Sequence, residues 1–224
     1  MIRKLHYHIR QFSKIFSRTK LKPWLETETK KIKKTLPQNY KIISFGAGGA
    51  INKTLKDNGL NITQIDIDPA RNPDIVGDIC DLKTIKDDSI DAAFVMEVLE
   101  HVKDPFAAMK ELKRIVKPGG QLILSTPFIF PIHDAPHDYF RYTKFGLQHL
   151  LKNFQDITIR NRNDYIFAIF TLTSRTIIAN DRKNRWIGVL IFAYFTLQLP
   201  IIALLSYLYK NDAATTGYFV TATA

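Results

Sequence analysis

The chain has 224 residues, of which 46% are hydrophobic and 24% are charged, and its formal net charge is +11. This composition excludes a disordered chain and a polytopic membrane protein, and the length fits one ordinary domain with modest additions. Cys80 is the only cysteine, which excludes an intrachain disulfide and a cysteine-only zinc site and fits a reducing compartment.

The positive charge is concentrated in residues 1–40, which carry a net charge of +9 and leave about +2 for the rest of the chain. Residues 1–38 are predicted to form a basic amphipathic arm, because apolar residues recur at helical spacing: Ile2, Leu5, Ile9, Phe12 and Phe16. The arm is too polar for a secretory signal, which favours a cytoplasmic protein.

Three roles are open for this arm. It can pack on the domain and cover a ligand site, or lie in a membrane interface with its cations at the headgroups. Binding of nucleic acid is the least favoured role, because few aromatic side chains stand among the cations.

Between residues 39 and 163, short β-rich runs alternate with helical patterns. Strands are predicted at Lys41–Phe45, Asn61–Ile67, Asp74–Asp78, Ile90–Met96 and Gln121–Thr126, and helices at Ile51–Asp57 and Pro105–Val116. This alternation predicts an α/β fold, a Rossmann-like, doubly wound and mostly parallel sheet with helices on both faces. Ligands of such sheets bind at the carboxyl ends of the strands.

A glycine-rich loop, Gly46-Ala47-Gly48-Gly49, separates the first predicted strand from its helix. Glycines allow the backbone to turn tightly and to approach a ligand beside free helix N–H groups. The loop fails the dinucleotide pattern G-x-G-x-x-G, because Ile51 stands at the third glycine position, and it lacks the Lys-Ser/Thr ending of a P-loop. By itself it is also compatible with a turn that binds nothing.

Acidic residues end the next three predicted strands: Asp66, Asp78 and Glu97. A carboxylate at the tip of the second strand can accept hydrogen bonds from both hydroxyls of a ribose. Together with the glycine loop and with Pro118-Gly119-Gly120 before the fifth strand, this set resembles the class I S-adenosylmethionine (SAM)-dependent methyltransferases. More narrowly, it is similar to their small bacterial and archaeal, type 11-like members.

The resemblance covers residues 40–163 and is most specific in residues 87–102 and 111–120. It implies SAM as the cofactor, bound by the following set: Gly46, Ala47, Gly48, Asp66, Ile67, Asp78, Ile79 and Glu97. Within this set, the resemblance places the glycines against the amino-acid and ribose portion and Asp66 on the ribose. It places Asp78 and Ile79 around the adenine, and Glu97 toward the methionine end.

Two positions depart from the family pattern. Ser44 stands two residues before the first loop glycine, where an acidic residue is usual, and Ala50 replaces the final loop glycine. Because a serine can still orient loop N–H groups or a water molecule, we expect weaker cofactor binding rather than none.

Methyl transfer to a hydroxyl calls for a base near the methyl group, and histidine is the usual choice because its ordinary pKa of about 6.5 is close to working pH. The catalytic candidates are His137 and His133, in the Pro-rich aromatic loop after the fifth strand, and then His101 after the fourth. Each of them could instead make only a local hydrogen bond. We expect no metal site, because Pro136 breaks the helix that would bring His133 and His137 onto one face.

An uncharged run of 24 residues, Trp186–Tyr209, lies within a predicted apolar helical insertion, residues 164–210. Pro200 divides the run into helices of about 21 and 14 Å, each shorter than the roughly 30 Å of a hydrocarbon core. Residues 216–223 resemble the family's antiparallel last strand, so that residues 39–163 and 211–224 form the predicted methyltransferase domain. A bent helical pair that dips into one leaflet is favoured over a packed cap, a dimer contact or a spanning helix.

These observations predict a SAM-dependent methyltransferase for a small-molecule or lipid-linked acceptor. We expect it to be cytoplasmic, peripheral or monotopic at the inner face of the membrane. Two alternatives are a soluble small-molecule methyltransferase, with the apolar helices as lid or dimer contact, and a non-catalytic, membrane-associated binding protein of the same fold. A nucleic-acid partner is not expected, and the oligomeric state is left open.

Overall fold

The strands of the computed structural model join into one seven-stranded sheet of the order β3-β2-β1-β4-β5-β7-β6. Their bounds are as follows: β1 Ile42–Phe45, β2 Thr63–Asp66, β3 Ile75–Val76, β4 Ile90–Met96, β5 Val116–Pro127, β6 Gln155–Asn161 and β7 Gly217–Thr223. The structure describes residues 20–180, 190, 193–194, 196–209, 211 and 213–224. The predicted amphipathic stripe from Ile2 to Phe16 lies outside these residues.

The neighbours β3, β2, β1, β4 and β5 pair in parallel along the sheet. Strand β7 runs antiparallel to β5, since Gly119 N–H donates to the Ala224 carbonyl and Phe128 N–H donates to that of Thr216. The prediction of a Rossmann-like, mostly parallel sheet with an antiparallel last strand is therefore confirmed.

Six helices accompany the sheet within the described residues. They are α1 Leu21–Thr35, α2 Gly49–Asp57, α3 Pro105–Ile115, α4 Lys144–Leu150, α5 Tyr165–Asn180 and α6 Leu199–Leu208. Two short 3-10 turns, Pro69–Arg71 and Leu99–His101, follow β2 and β4.

The central strand β4 forms the middle of the core. Residues 92–96 are all buried, as expected for a strand covered on both faces in a parallel sheet. Because both faces are covered, its apolar residues form a continuous run rather than an alternating pattern.

The start of β5 differs from its predicted position. The strand begins at Val116, which pairs with Ile90, whereas Gln121 pairs with Ala92, so the residues between them bulge outward. A side chain at Gly120 would meet the Val116 side chain at 2.6 Å, which explains the small residue there. Helix α3 consequently ends one residue earlier than predicted, and β5 begins five residues earlier.

The described chain divides into two compact units. One contains residues 22–127, 134–160 and 218–224, and the other contains residues 128–133 and 161–217 together with residues 20 and 21. Residues 22–35 of α1 belong to the first of these units. Leu25 and Ile32 of α1 are buried, and the Trp24 ring stacks on Phe219 of β7 at 4.4 Å.

The unit that contains residues 161–217 carries α5 and α6. Asp164 caps α5 by accepting a hydrogen bond from the Phe167 amide, and it also accepts one from the Ser206 hydroxyl of α6 at 2.9 Å. Ile201, Leu204 and Leu208 are more than half exposed on α6. Among the described residues, we find no helix with the length and apolar character needed to cross a membrane.

Candidate active site

The glycine loop follows β1 and leads directly into α2, as the sequence predicts. Gly46, Gly48 and Gly49 have φ angles of +86°, +72° and +74°, a region that residues with a side chain adopt at a cost. A Cβ at Gly46 would also approach the Val98 side chain to 3.2 Å. The loop conformation therefore requires glycine at these positions.

Residues of β2 hold the amides of this loop. The Gly46 amide donates to the Ile65 carbonyl at 2.8 Å, and the Ala47 amide donates to Asp66 Oδ2 at 2.7 Å. Asp66 Oδ1 accepts the Asp68 amide at 2.9 Å. The Asp66 carboxylate thus joins the glycine loop to the turn after β2, and each of its oxygens retains a lone pair for another donor.

A buried network behind the loop was missed by sequence reasoning. The Ser44 hydroxyl donates to Asn52 Oδ1 at 2.6 Å, and Asn52 Nδ2 lies 2.6 Å from the Gly46 carbonyl, 3.1 Å from that of Gly48 and 2.9 Å from Gln64 Oε1. Gln64 Oε1 also accepts the Gly48 amide at 3.0 Å. The departure at Ser44 from the family pattern was the one signal in the sequence that pointed here.

The predicted adenine-flanking residues have different surroundings. Ile67 is 67% exposed beside Asp66, an apolar surface that a planar base can cover, whereas the Ile79 side chain is buried. Asp78 is exposed, and its Oδ1 accepts the Cys80 amide at 2.9 Å. Burial and the neighbouring Asp78 raise the pKa of the Cys80 thiol to about 11, so this thiol is protonated at neutral pH and is a poor nucleophile.

Arg114 of α3 anchors the segment between β3 and β4 that follows Asp78. Its guanidinium donates to Glu111, to Asp87 and to the carbonyls of Leu82 and Ile85. Hydrogen bonds from Arg114 lower the pKa of Glu111, and the Glu111 and Asp87 carboxylates raise that of Arg114. The motif in residues 111–120 that resembled the family thus has a structural role next to the cofactor-binding candidates.

We expect Arg114→Leu to lower the free energy of unfolding by about 2–3 kcal/mol, because Glu111 and the carbonyls of Leu82 and Ile85 each lose the guanidinium as a donor. The pKa of Glu111 is depressed in the folded chain, so the stabilisation by this pair is present above about pH 4.5 and is lost as pH falls further. Urea titrations should therefore show that the free energies of unfolding of the parent and of Arg114→Leu differ less at pH 3 than at pH 7. Arg160→Leu, the same change at an exposed residue of β6, is the control, and an equal effect of both would contradict the anchoring role.

Glu97 lies at the carboxyl end of β4 in a left-handed backbone conformation, with a φ of +55°. Its Oε1 accepts the Ser125 hydroxyl at 2.8 Å, and its amide donates to the Ser125 carbonyl at 2.9 Å. The backbone of a residue with a side chain is strained in this conformation, and strained residues of this kind are concentrated at ligand sites. Glu97 is thus held in a fixed orientation at the edge where the ligand is expected.

The segment after β5 is attached to the 3-10 turn after β4. The amides of Tyr139 and Phe140 donate to the Glu100 carbonyl at 2.9 and 3.2 Å, and the Tyr142 hydroxyl donates to the Leu99 carbonyl at 3.0 Å. Burial, with the neighbouring Glu100, raises the pKa of Tyr142. These bonds fix residues 134–142 against the carboxyl end of β4.

The three histidine candidates are distributed over both units. His101 Nδ1 lies 2.5 Å from the carbonyl of His137, and His101 Nε2 lies 3.7 Å from Glu100 Oε1. His137 is exposed, with its Nδ1 2.9 Å from the Tyr139 hydroxyl. His133 belongs to the other unit, where its ring contacts Phe130 edge-on.

The geometry places a proton on Nδ1 of His101, because the His137 carbonyl beside it can only accept a hydrogen bond. Asp138 and Arg141 form a two-bonded ion pair nearby in the segment after β5, which raises the pKa of Arg141. The hydrogen bond to the His137 carbonyl therefore holds the His101 ring in a defined orientation.

A parallel sheet with this strand order, an antiparallel last strand, a glycine loop after β1 and a carboxylate ending β2 defines the class I fold of SAM-dependent methyltransferases. Residues 43–124 match the family described as "Methyltransferase domain". Residues 43–124 are therefore similar to this family, and the predicted resemblance to the class I methyltransferases is confirmed.

Three similar proteins illustrate this relationship. A ubiquinone biosynthesis O-methyltransferase of Xanthomonas oryzae pv. oryzae is 34% identical over 101 residues, covering 38% of this chain and 42% of that protein. The enzyme of the same name from Pseudomonas aeruginosa is 30% identical over 129 residues, covering 50% and 52%. The chain thus spans about half or less of the length of these relatives.

The solved structure of a SAM-dependent methyltransferase from Archaeoglobus fulgidus aligns with a TM-score of 0.55 at 12% identity. The alignment covers 94% of this chain and 98% of that one. At this identity, the likeness supports the fold and carries no information about the acceptor.

Proposed function

We propose that this protein transfers the methyl group of SAM to a hydroxyl of a small apolar or lipid-linked acceptor. The observation that carries the proposal is the Asp66 carboxylate, which is bonded to the glycine loop and lies beside the exposed Ile67. The lone pairs left on its oxygens suit the two hydroxyls of a ribose, and Ile67 suits the face of a base. The residues present therefore fit a nucleoside cofactor.

When bound, SAM supplies a methyl group already activated by its sulfonium, so the main task of the protein is orientation. Asp66 would hold the ribose, Gly46 and Gly48 would allow close approach of the backbone, and Glu97 would face the amino-acid end. Ser125 keeps the Glu97 carboxylate in place through its 2.8 Å hydrogen bond. Each of these roles belongs to a side chain or loop in the same compact unit.

His101 is the base that the geometry favours, although sequence reasoning ranked His137 and His133 ahead of it. In this role its Nε2 would take the proton of the acceptor hydroxyl, and Glu100 Oε1, 3.7 Å away, would stabilise the imidazolium that forms. The two similar ubiquinone biosynthesis enzymes are named O-methyltransferases, which supports a hydroxyl as the acceptor group.

A direct test uses the purified protein, methyl-labelled SAM and a panel of hydroxylated aromatic compounds with and without prenyl chains. Transfer of label into the organic phase, together with SAM binding by isothermal titration calorimetry, is the expected result. Tight SAM binding without transfer to any member of the panel would favour the non-catalytic binding protein. Absence of SAM binding would contradict both the proposed methyltransferase and the non-catalytic binding protein.

Helix α6 supports a membrane surface as the place of action. Ile201, Leu204, Leu205, Tyr207 and Leu208 are all exposed, an apolar surface that soluble monomers rarely leave uncovered. Ten residues of helix are about 15 Å long, which fits insertion into one leaflet rather than a crossing.

We expect Leu204→Ser with Leu208→Ser to weaken sedimentation with phospholipid vesicles about tenfold or more, because each leucine loses its burial in the acyl region. Phe145→Ser removes an exposed apolar side chain from α4 and should leave vesicle binding within about twofold of the parent. Analytical ultracentrifugation distinguishes the alternative. If the leucine changes dissociate a dimer and leave vesicle binding intact, α6 is a dimer contact.

A further inference from the structure

Asn52 lies at the centre of the buried network that joins β1, α2 and β2 behind the glycine loop. It is 3% exposed, and its neighbours Ser44 and Gln64 are 0% and 9% exposed. Its Nδ2 contacts two loop carbonyls, whereas its Oδ1 accepts the Ser44 hydroxyl. The network therefore links three elements of the fold to the loop.

The orientation of the Asn52 amide follows from its partners. The carbonyls of Gly46 and Gly48 can only accept, so the end of the amide that faces them has to be the NH2 group. The Ser44 hydroxyl, as a donor to Oδ1, holds the amide in that orientation. Because Asn52 Oδ1 can only accept a hydrogen bond, a hydroxyl at position 44 can donate to it, whereas an ionised carboxylate cannot.

The loop is consequently held from two sides. Asp66 and Gln64 of β2 accept the amides of Ala47 and Gly48, and Asn52 binds the carbonyls of Gly46 and Gly48. Buried polar groups that lose such partners pay the full cost of their desolvation, and networks in the interior are cooperative. The positive φ angles of the loop are thus stabilised before any ligand arrives.

We propose that Asn52 is a positioning residue for SAM, which holds the glycine loop in its binding conformation together with Gln64 and Ser44. The inference rests on the proposed function and adds to it that an uncharged network organises the loop. Ser44 stands where the resemblance led us to expect an acidic residue. In this protein the Asn52 amide, held by Ser44, orders the loop through its bonds to the loop carbonyls. Weaker binding is therefore not a necessary consequence of that departure.

Isothermal titration calorimetry with SAM on the full chain tests this inference. Asn52→Leu should raise the Kd for SAM about ten- to hundredfold, because two loop carbonyls lose their donor. At saturating SAM, kcat should stay within about threefold, since the change acts on binding of the cofactor and not on the base. Thr54→Val is the matched control: it removes a buried hydroxyl bond to the Ala50 carbonyl on the same helix, and it should leave the Kd within about twofold.

Two further variants separate positioning from general loss of stability. Gln64→Leu combined with Asn52→Leu should be no worse than the stronger single change, because both disturb the same loop. Ser44→Asp should weaken SAM binding about tenfold, because a carboxylate next to Asn52 Oδ1 turns the amide around and places its oxygen against the loop carbonyls.

The inference is overturned if Asn52→Leu binds SAM like the parent, if Thr54→Val loses as much affinity, or if Ser44→Asp binds more tightly. Where Asn52→Leu does not fold, Ser44→Ala serves in its place, and an unchanged Kd in that folded variant also overturns the inference. If the parent protein itself binds no SAM, the proposed function fails first, and this result is distinct from the others.

Discussion

Asp66→Ala is expected to raise the Kd for SAM by about a hundredfold or more. In its proposed role, Asp66 is a charged acceptor for two ribose hydroxyls, and each hydrogen bond to a charged group contributes about 1.5–3 kcal/mol. The change also releases the Ala47 amide, whose 2.7 Å bond to Asp66 Oδ2 orders the glycine loop. Isothermal titration calorimetry measures the loss directly.

Asp68→Ala is the control for this prediction. Asp68 is an exposed carboxylate two residues further on, and its Oδ1 accepts the Ala70 amide of the following turn. Its removal should change the Kd by less than about threefold, because the Asp68 carboxylate is exposed, and the backbone amide that donates to Asp66 Oδ1 is retained in alanine. Equal losses in both variants would mean that negative charge in general, and not the Asp66 carboxylate, binds the cofactor.

His101→Gln is expected to lower kcat by about a hundred- to a thousandfold, the usual contribution of a positioned base. Binding of SAM should stay within about twofold, because the Nδ1 bond of His101 goes to the segment after β5, at the carbonyl of His137. Single-turnover methyl transfer at saturating SAM, combined with calorimetry, separates the two effects.

His137→Gln decides between the ranking made from sequence and the one that the geometry favours. The contact of His137 with His101 uses its backbone carbonyl, which glutamine retains, so kcat should fall by no more than about threefold. His149→Gln on α4 is a second control at a histidine outside the candidate site. A collapse of kcat in His137→Gln with a normal rate in His101→Gln would assign the base to His137 instead.

Much of the fold could be predicted because its signals are local. Ile90–Met96 has the bounds predicted for it, since a continuous apolar run is what a doubly covered strand requires. The start of β5 could not be predicted, because Val116 follows a helix without a break and Pro118-Gly119-Gly120 is typical of a turn. Its extension depends on pairing with Ile90 and with Ala224, which are distant in sequence.

The candidate site was predictable to a similar degree. Gly46 and Asp66 stand out because they occupy motif positions of the family that the sequence resembles, and the structure joins the glycine loop to Asp66 through the Ala47 amide. Asn52 and Gln64 carry no such signal, since buried amides on a helix and a strand look like ordinary polar residues. Their role follows from contacts between β1, α2 and β2 that no local pattern records.

By itself, the sequence determined the order of β1 to β5 with the helices α2 and α3, the glycine turn and the carboxylates that follow the strands, because propensity, periodicity and backbone sterics act between near neighbours. Only the tertiary structure decided which polar side chains meet. It paired Asn52 with the glycine loop, attached residues 134–142 to the turn after β4, and gave the His101 ring a defined orientation. Hydrogen bonds between distant segments depend on angles and distances of a few tenths of an ångström, and these exist only once the sheet has assembled.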